Sequence, residues 1–159
     1  MLEKVKEKLE RRFHVLPLHH INTDVILEPH DTENGRACAR YLQLVGYKYR
    51  GKLSFPVLSE IFLKFLLVGM REKREIIIEI MDNLREKRKI DYYSPKRIGR
   101  LMEEISKIDK RLEPTDIQVI ASAIEDGAIN LVTIDTKLIG HKSIEEKYEL
   151  KIVHPKNFI

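Results

Sequence analysis

The sequence predicts an α/β fold of three layers, a five-stranded parallel sheet covered by helices on both faces, with a further helix in front of it. Short apolar runs alternate along the chain with stretches whose apolar residues recur at helical spacing. That alternation calls for βαβ connections, and such connections build parallel sheets buried on both sides. The length, 159 residues, suits one domain with a real core and leaves little room for two. Residues 1–159 are therefore read as a single domain, with residues 1–15 as a helical extension.

The elements follow in order. Leu2, Val5, Leu9 and Phe13 fall at roughly helical spacing among charged residues, giving an amphipathic helix packed on the domain. Leu16 to Leu27 reads as the first strand and runs through His19-His20-Ile21-Asn22-Thr23-Asp24. Cys38, Tyr41, Leu42 and Val45 form a helical stripe that Gly46 ends. Leu53 to Phe55 is a short strand, after which Pro56 opens the apolar helix Val57 to Val68. Ile77, Ile80, Met81 and Leu84 make another helical stripe. Ile90 to Tyr93 is a strand closed by Ser94-Pro95, and Ile98, Leu101, Met102, Ile105 and Ile108 mark the next helix. Thr115 and Gln118 have the spacing of a capping box, so a helix is predicted to begin there, with Ile117, Ile120, Ala121 and Ile124 facing inward and Gly127 as its stop. Leu131 to Ile134 is a buried strand, followed by a helix near Lys137 to Lys147 and a last strand, Leu150 to Val153.

Composition narrows the class. The charged fraction of 34% is high and rests on Lys, Arg and Glu, while Trp is missing; this bias resembles proteins from hot environments, where ion-pair networks become less costly. The lone Cys38 cannot form an internal disulfide, which excludes a disulfide-stapled secreted fold and fits a reducing cytoplasm. Within Ala37-Cys38-Ala39 it reads as a small buried apolar residue. The charged, amphipathic N-terminus does not look like a signal peptide. The longest apolar run, Ile61 to Met70, is too short for a membrane span and contains Lys64.

A net charge of +4 favours an anionic partner only weakly, and its distribution says more. Arg85, Lys87, Arg88, Lys89, Lys96, Arg97 and Arg100 crowd one segment around Tyr92 and Tyr93, with Glu86 and Asp91 as its acids. A smaller cluster is Tyr47-Lys48-Tyr49-Arg50-Gly51-Lys52. Basic residues interleaved with aromatics suit a phosphate backbone and stacked bases, and Lys87, Arg88, Lys96 and Arg97 are the candidate RNA contacts. A solvated charged face is the plain alternative.

Four carboxylates occupy telling positions. Asp24 lies near the end of the first strand, Glu60 interrupts an apolar helix, Asp116 sits in the first turn of a helix, and Asp135 follows the strand Leu131 to Ile134. In parallel α/β sheets, ligands bind outside the carboxyl ends of strands where the strand order reverses. Each acid also has a structural reading: Glu60 as an ion-pair partner of Lys64, Asp116 at a helix dipole, Asp135 as a turn residue. Convergent carboxylates repel one another and make chemical sense chiefly around a hard cation such as Mg²⁺ or Mn²⁺. Such an ion acidifies water and stabilises charge on a phosphate, so no side-chain nucleophile is required.

These residues resemble the motifs of the PIN domain family. Ile21-Asn22-Thr23-Asp24-Val25-Ile26-Leu27 is similar to its opening Asp-Thr-Asn strand, and Ser59-Glu60-Ile61 to its glutamate helix. Thr115-Asp116-Ile117-Gln118-Val119-Ile120-Ala121-Ser122-Ala123 is similar to its third acidic motif, and Leu131-Val132-Thr133-Ile134-Asp135 to its fourth, Thr-x-Asp. The order and approximate spacing agree over about residues 16–155, and the last two motifs are the more specific. The resemblance implies a metal-dependent ribonuclease: Asp24, Glu60, Asp116 and Asp135 as catalytic and metal-binding residues, and Mg²⁺ or Mn²⁺ as cofactor. Asn22 and Thr133 would support them. It also implies RNA as substrate. Many relatives are VapC-type toxins, commonly homodimeric and inhibited by a small antitoxin; others process or degrade RNA.

The family's first catalytic Asp falls on Asn22, and its usual Asn or Ser position falls on Asp24. On an extended strand Asp24 would share a face with Asn22, displaced by roughly 6–7 Å, and would supply the missing charge. A second reading follows from Asn22, a catalytically weakened domain serving as an RNA- or protein-binding scaffold. A third is a different metal-dependent phosphohydrolase on the same sheet. Other chemistries find no support. His19 and His20 are strand neighbours that point to opposite faces and cannot easily share an ion. His14, His30, His141 and His154 show no ligand spacing, and no phosphate loop or nucleophile elbow is present.

Overall fold

A computed structural model describes residues 1–68, 75, 78, 79, 81, 82, 86 and 90–159, without the side chains of residues 9, 10, 12, 13 and 65–68. The helix α1 (Leu2–Val15) precedes β1 (Leu18–Ile21), α2 (Thr23–Leu27), α3 (Glu33–Leu44) and β2 (Arg50–Ser54). Then come α4 (Phe55–Val68), β3 (Ile90–Tyr93), α5 (Gly99–Ile108) and α6 (Pro114–Glu125). The chain ends with β4 (Asn130–Val132), α7 (Lys142–Tyr148), β5 (Lys151–Val153) and a 3₁₀ turn, Pro155–Phe158.

All five strands are parallel, in the order β3-β2-β1-β4-β5. The chain first builds outward from β1 through β2 to β3, then returns to the other side of β1 for β4. The order therefore reverses between β1 and β4, whose carboxyl ends lie side by side: Ile21 is in register with Val132. A crevice opens at such a reversal because the two flanking connections leave in opposite directions.

Several expected boundaries move, each for a local reason. The strand expected over Leu16 to Leu27 stops at Ile21, and Thr23 to Leu27 is helical. Asn22 makes the turn: its backbone is extended at φ −77° and ψ 160°, and its side-chain oxygen accepts from the Thr23 N–H at 2.9 Å. That is N-cap chemistry, which ends a strand and starts a helix in one residue. β2 begins earlier than expected, at Arg50, because Gly51 is needed where the strand is crowded. A Cβ there would lie 2.7 Å from Val45 Cγ1 and 2.9 Å from Ile21 Cδ1.

The expected capping box at Thr115 is not the start of α6. Glu113 is the N-cap without a side-chain cap bond, and Pro114 occupies the first turn, where its fixed φ costs nothing. The helix expected from Lys137 begins at Lys142, because residues 136–140 form turns that end on Gly140 at φ +68°. Of the stripe Ile77, Ile80, Met81 and Leu84, Met81 is helical and buried, and the other three lie outside the described residues.

The core contains Ile21, Leu53, Ile61, Ile120, Leu131 and Ile152, all but sealed from solvent, together with Cys38. His19 and His20 do point to opposite faces. His19 Nδ1 is 2.8 Å from the Tyr41 hydroxyl and its ring stacks on Tyr49 at 4.4 Å, while Asn130 approaches Nε2 at 3.2 Å. His20 meets Asp126 at 2.8 Å on the other side, where Lys52 also pairs with Asp126 at 3.1 Å. Tyr49 and Lys52 are thereby committed to the interior and to an ion pair, which removes them from the basic surface cluster expected around Tyr47 to Lys52.

Candidate active site

The reversal point gathers the polar residues that follow β1 and β4. Thr133, one residue past β4 and wholly buried, is the hub. Its hydroxyl donates to Asp24 Oδ2 at 2.7 Å and accepts from Asn22 Nδ2 at 3.2 Å and from the Asp135 N–H at 3.1 Å. One side chain thus ties the end of β1, the first turn of α2 and the loop after β4. The Ile134 N–H adds a longer bond of 3.3 Å to Asp24 Oδ2.

This arrangement corrects the expected relation between Asn22 and Asp24. They are an N-cap and a first-turn residue of α2, and not two residues on one strand face. Asn22 is 8% exposed, and both ends of its amide are engaged, the oxygen on Thr23 and the nitrogen on Thr133. Asp24 has one oxygen held and the other, Oδ1, buried with no partner among the described residues. Burial is the main cause that raises the Asp24 pKa, with the charge of Asp135 acting the same way, against the Thr133 hydrogen bond and the backbone N–H groups of Ile134 and Val25.

Asp116 stands in the first turn of α6 and is half-buried. Its pKa is raised to about 6, first by burial and then by the charges of Asp135, Glu113 and Glu60. Asp135 lies in the loop after β4; its Oδ1 accepts from the Lys137 N–H at 2.9 Å, and its carbonyl accepts from Leu138 and Ile139. Glu60, on α4, pairs with Lys64 at 3.3 Å, as the helical spacing allows. All four expected acids therefore share one electrostatic neighbourhood. Glu113, which sequence reasoning passed over, belongs to it as well; its position before Pro114 was the available signal.

Among the described residues, no three His, Cys, Asp or Glu side chains converge as a ready-made metal site. The donor set still fits a hard divalent cation in kind. Its members are carboxylates, the pKa of Asp24 and of Asp116 is raised by burial and by neighbouring acids, and Asp24 offers a buried oxygen with no hydrogen-bond partner among the described residues. Mg²⁺ commonly takes one or two carboxylates and keeps several waters, so a converged triad is not a precondition.

Lys96 and Arg97 lie in the loop after β3 with exposed side chains. Their backbone N–H groups both donate to the Glu125 carboxylate, at 2.7 and 2.8 Å, and the Tyr93 hydroxyl donates to it at 2.6 Å. Lys87 and Arg88 lie outside the described residues.

The α/β fold with its five-stranded parallel sheet matches solved structures. The VapBC2 structure from Rickettsia felis, bound to a DNA fragment from its promoter, aligns at a TM-score of 0.64 with 15% identity, over 86% of this chain and 98% of that one. FitAB bound to an IR36 DNA fragment aligns at a TM-score of 0.57 with 17% identity, over 87% and 95%. The fold is that of a PIN domain. No family model matches the sequence, and no curated protein matches it. At this level of identity the likeness rests on the PIN fold itself.

Proposed function

We propose that the protein is a metal-dependent ribonuclease that hydrolyses RNA phosphodiester bonds with Mg²⁺ or Mn²⁺ at Asp24, Glu60, Asp116 and Asp135. The observation that carries this reading is the raised pKa of Asp116, held at about 6 by burial first and then by the charges of Asp135, Glu113 and Glu60. Buried like charges cost stability, and a site that accumulates them is a functional candidate. A bound divalent cation would supply Lewis acidity toward the phosphate and a more acidic water. Thr133 holds Asp24 Oδ2 so that Oδ1 remains free for a ligand. Asn22, committed to the α2 cap and to Thr133, acts as a support. Asp116, in the first turn of α6, and Asp135, in the loop after β4, are close enough for the charge of Asp135 to raise the Asp116 pKa, and together they would balance the charge of the cation. The basic side chains of Lys96 and Arg97, and of Lys87 and Arg88, would contact the RNA backbone.

The same reading takes residues 1–159 as one domain with residues 1–15 as its helical extension, acting in the cytoplasm. Among the described residues, no helix is long and apolar enough to cross a membrane. A small antitoxin-like protein and a second copy of the chain are the proposed protein partners; the similar VapBC2 and FitAB structures are both bound to DNA. Incubation with single-stranded RNA tests the activity: cleavage is expected with Mn²⁺ and none with chelator. Full cleavage after exhaustive metal removal would overturn the assignment. The engaged amide of Asn22 favours a second reading, a weakened domain that binds RNA or protein as a scaffold. That reading expects RNA binding with no turnover in any metal.

A further inference from the structure

The loop that leads to α6, whose first turn carries Asp116, and the loop that carries Asp135 are joined by one side-chain pair. Asp109 is the C-cap of α5, at the head of the loop that leads to Asp116. His141 is the N-cap of α7, at the end of the loop that begins with Asp135. His141 Nε2 lies 2.9 Å from Asp109 Oδ2, and both side chains are largely buried, at 13% and 11% exposure. We infer that the Asp109–His141 pair is a positioning latch that sets the spacing of Asp116 and Asp135 and so tunes the affinity of the site for its cation.

Both arms of the latch are stiff. On one side the Arg111 N–H bonds Asp109 Oδ1 at 2.9 Å, its guanidinium takes both carboxylate oxygens, and the Leu112 N–H reaches the Asp109 carbonyl. The helix α6 then starts at once, with Ile117 bonded to the Glu113 carbonyl. On the other side, Lys137 bonds the Asp135 carboxylate, Leu138 and Ile139 bond its carbonyl, and the His141 N–H bonds the Leu138 carbonyl. Hydrogen bonds at Lys137, Leu138, Ile139 and His141 tie the segment between His141 and Asp135, so a shift at His141 reaches Asp135 with little slack. The ring itself has one anchor: His141 Nδ1 is buried with no partner among the described residues. Removing the Asp109 bond therefore frees the imidazole. A second bond, from the Tyr148 hydroxyl to Glu104 Oε2 at 2.9 Å, joins α5 and α7 away from the two loops. It provides an internal control.

The inference rests on the proposed metal site, and its test separates the two. Mn²⁺ is titrated calorimetrically into the full chain and into His141→Phe, which keeps a ring of similar size. Dissociation is expected to be about tenfold weaker, the order seen when a group that orients a ligand is lost. Tyr148→Phe should bind as the parent does, and His141→Gln, whose amide can still donate to Asp109, should recover most of the affinity. Asp109→Asn provides a second route should His141→Phe fold poorly. Equal affinity in parent and His141→Phe overturns the latch, as does an equal loss in Tyr148→Phe. A parent that binds no Mn²⁺ overturns the metal reading instead. The latch is then judged on amide hydrogen exchange in the metal-free chain: Lys137, Leu138 and Ile139 should exchange at least fivefold faster in His141→Phe alone, and unchanged exchange overturns it.

Discussion

At Asp116 the proposed metal site would set a proton and a cation in competition for the same oxygen atoms. With its pKa raised to about 6, the carboxyl is mostly ionised at neutral pH and mostly protonated near pH 5. Metal binding requires the ionised form, so affinity is linked to pH. Mn²⁺ should bind about fivefold more weakly at pH 5 than at pH 6, with proton uptake by the protein when the metal is removed. Calorimetry in buffers of different ionisation enthalpy measures both. Asp24 and Asn22 lead to a paired expectation. Asp24→Asn can keep the Thr133 bond and removes a charge whose pKa is raised by burial and by Asp135, so the metal-free fold should hold or gain stability while cleavage is largely lost. Asn22→Asp keeps an acceptor for the Thr23 N–H but loses the donation to Thr133 and adds charge beside Asp24. It should destabilise the metal-free chain by about 1 kcal/mol and make Mn²⁺ more stabilising than in the parent. Thermal melts with and without Mn²⁺ decide. A fully active Asp24→Asn variant would remove Asp24 from the site.

At the scale of elements, the loop after β3 shows how charge on a surface is given a direction. Glu125 anchors it by two backbone N–H groups and the Tyr93 hydroxyl, leaving the Lys96 and Arg97 side chains outside the clamp. Replacing both by Ala should flatten the salt dependence of RNA binding by about 0.7 log units per log unit of salt for each phosphate left without its cation. An unchanged slope would make the loop a solvated surface. The alternation of strand and helix was legible in the sequence because apolar stripes such as Ile117, Ile120, Ala121 and Ile124 are long enough to show their period. The places of Glu60 within a helix, Asp116 in a first turn and Asp135 past a strand were legible because these acids punctuate apolar stretches. What the pattern concealed lies at element ends, where one hydrogen bond decides. Leu16 to Leu27 looked like one strand since Val25 and Ile26 are apolar and buried, yet the Asn22 cap turns them onto a helix. Thr115 looked like a cap, yet Pro114 had already begun the helix. The Asp109–His141 pair was hidden for another reason: its members are far apart in sequence and carry no shared spacing.

Across the whole molecule, buried histidines and crowded acids pull stability in opposite directions with pH. His19 is 1% exposed and burial lowers its pKa to about 4; His20 is lowered as well, by burial that outweighs its bond to Asp126. Above the ordinary histidine value of 6.5 both folded and unfolded chains hold neutral rings, and these residues make stability independent of pH. As pH falls below 6.5 the unfolded chain takes up protons that the native rings refuse. Stability is then lost until about pH 4, where native His19 titrates too. His19 alone amounts to about 3 kcal/mol over that interval, at 1.36 kcal/mol per pH unit. Asp116 works the other way: its folded pKa lies above the unfolded one, so the native state binds its proton first and gains stability as pH falls from about 6 toward 3.8. The carboxylate of Asp126, whose burial is outweighed by His20 and Lys52 so that its pKa is lowered, loses its contribution only below that window. Urea denaturation of the metal-free chain between about pH 7 and about pH 4.5 should therefore show a shallow decline, the histidine loss partly offset by Asp116. His19→Gln should flatten it further, whereas Asp116→Asn should steepen it by removing the offset. A steeper decline in His19→Gln, or a flatter one in Asp116→Asn, would show that these two groups do not set the acid response of the fold.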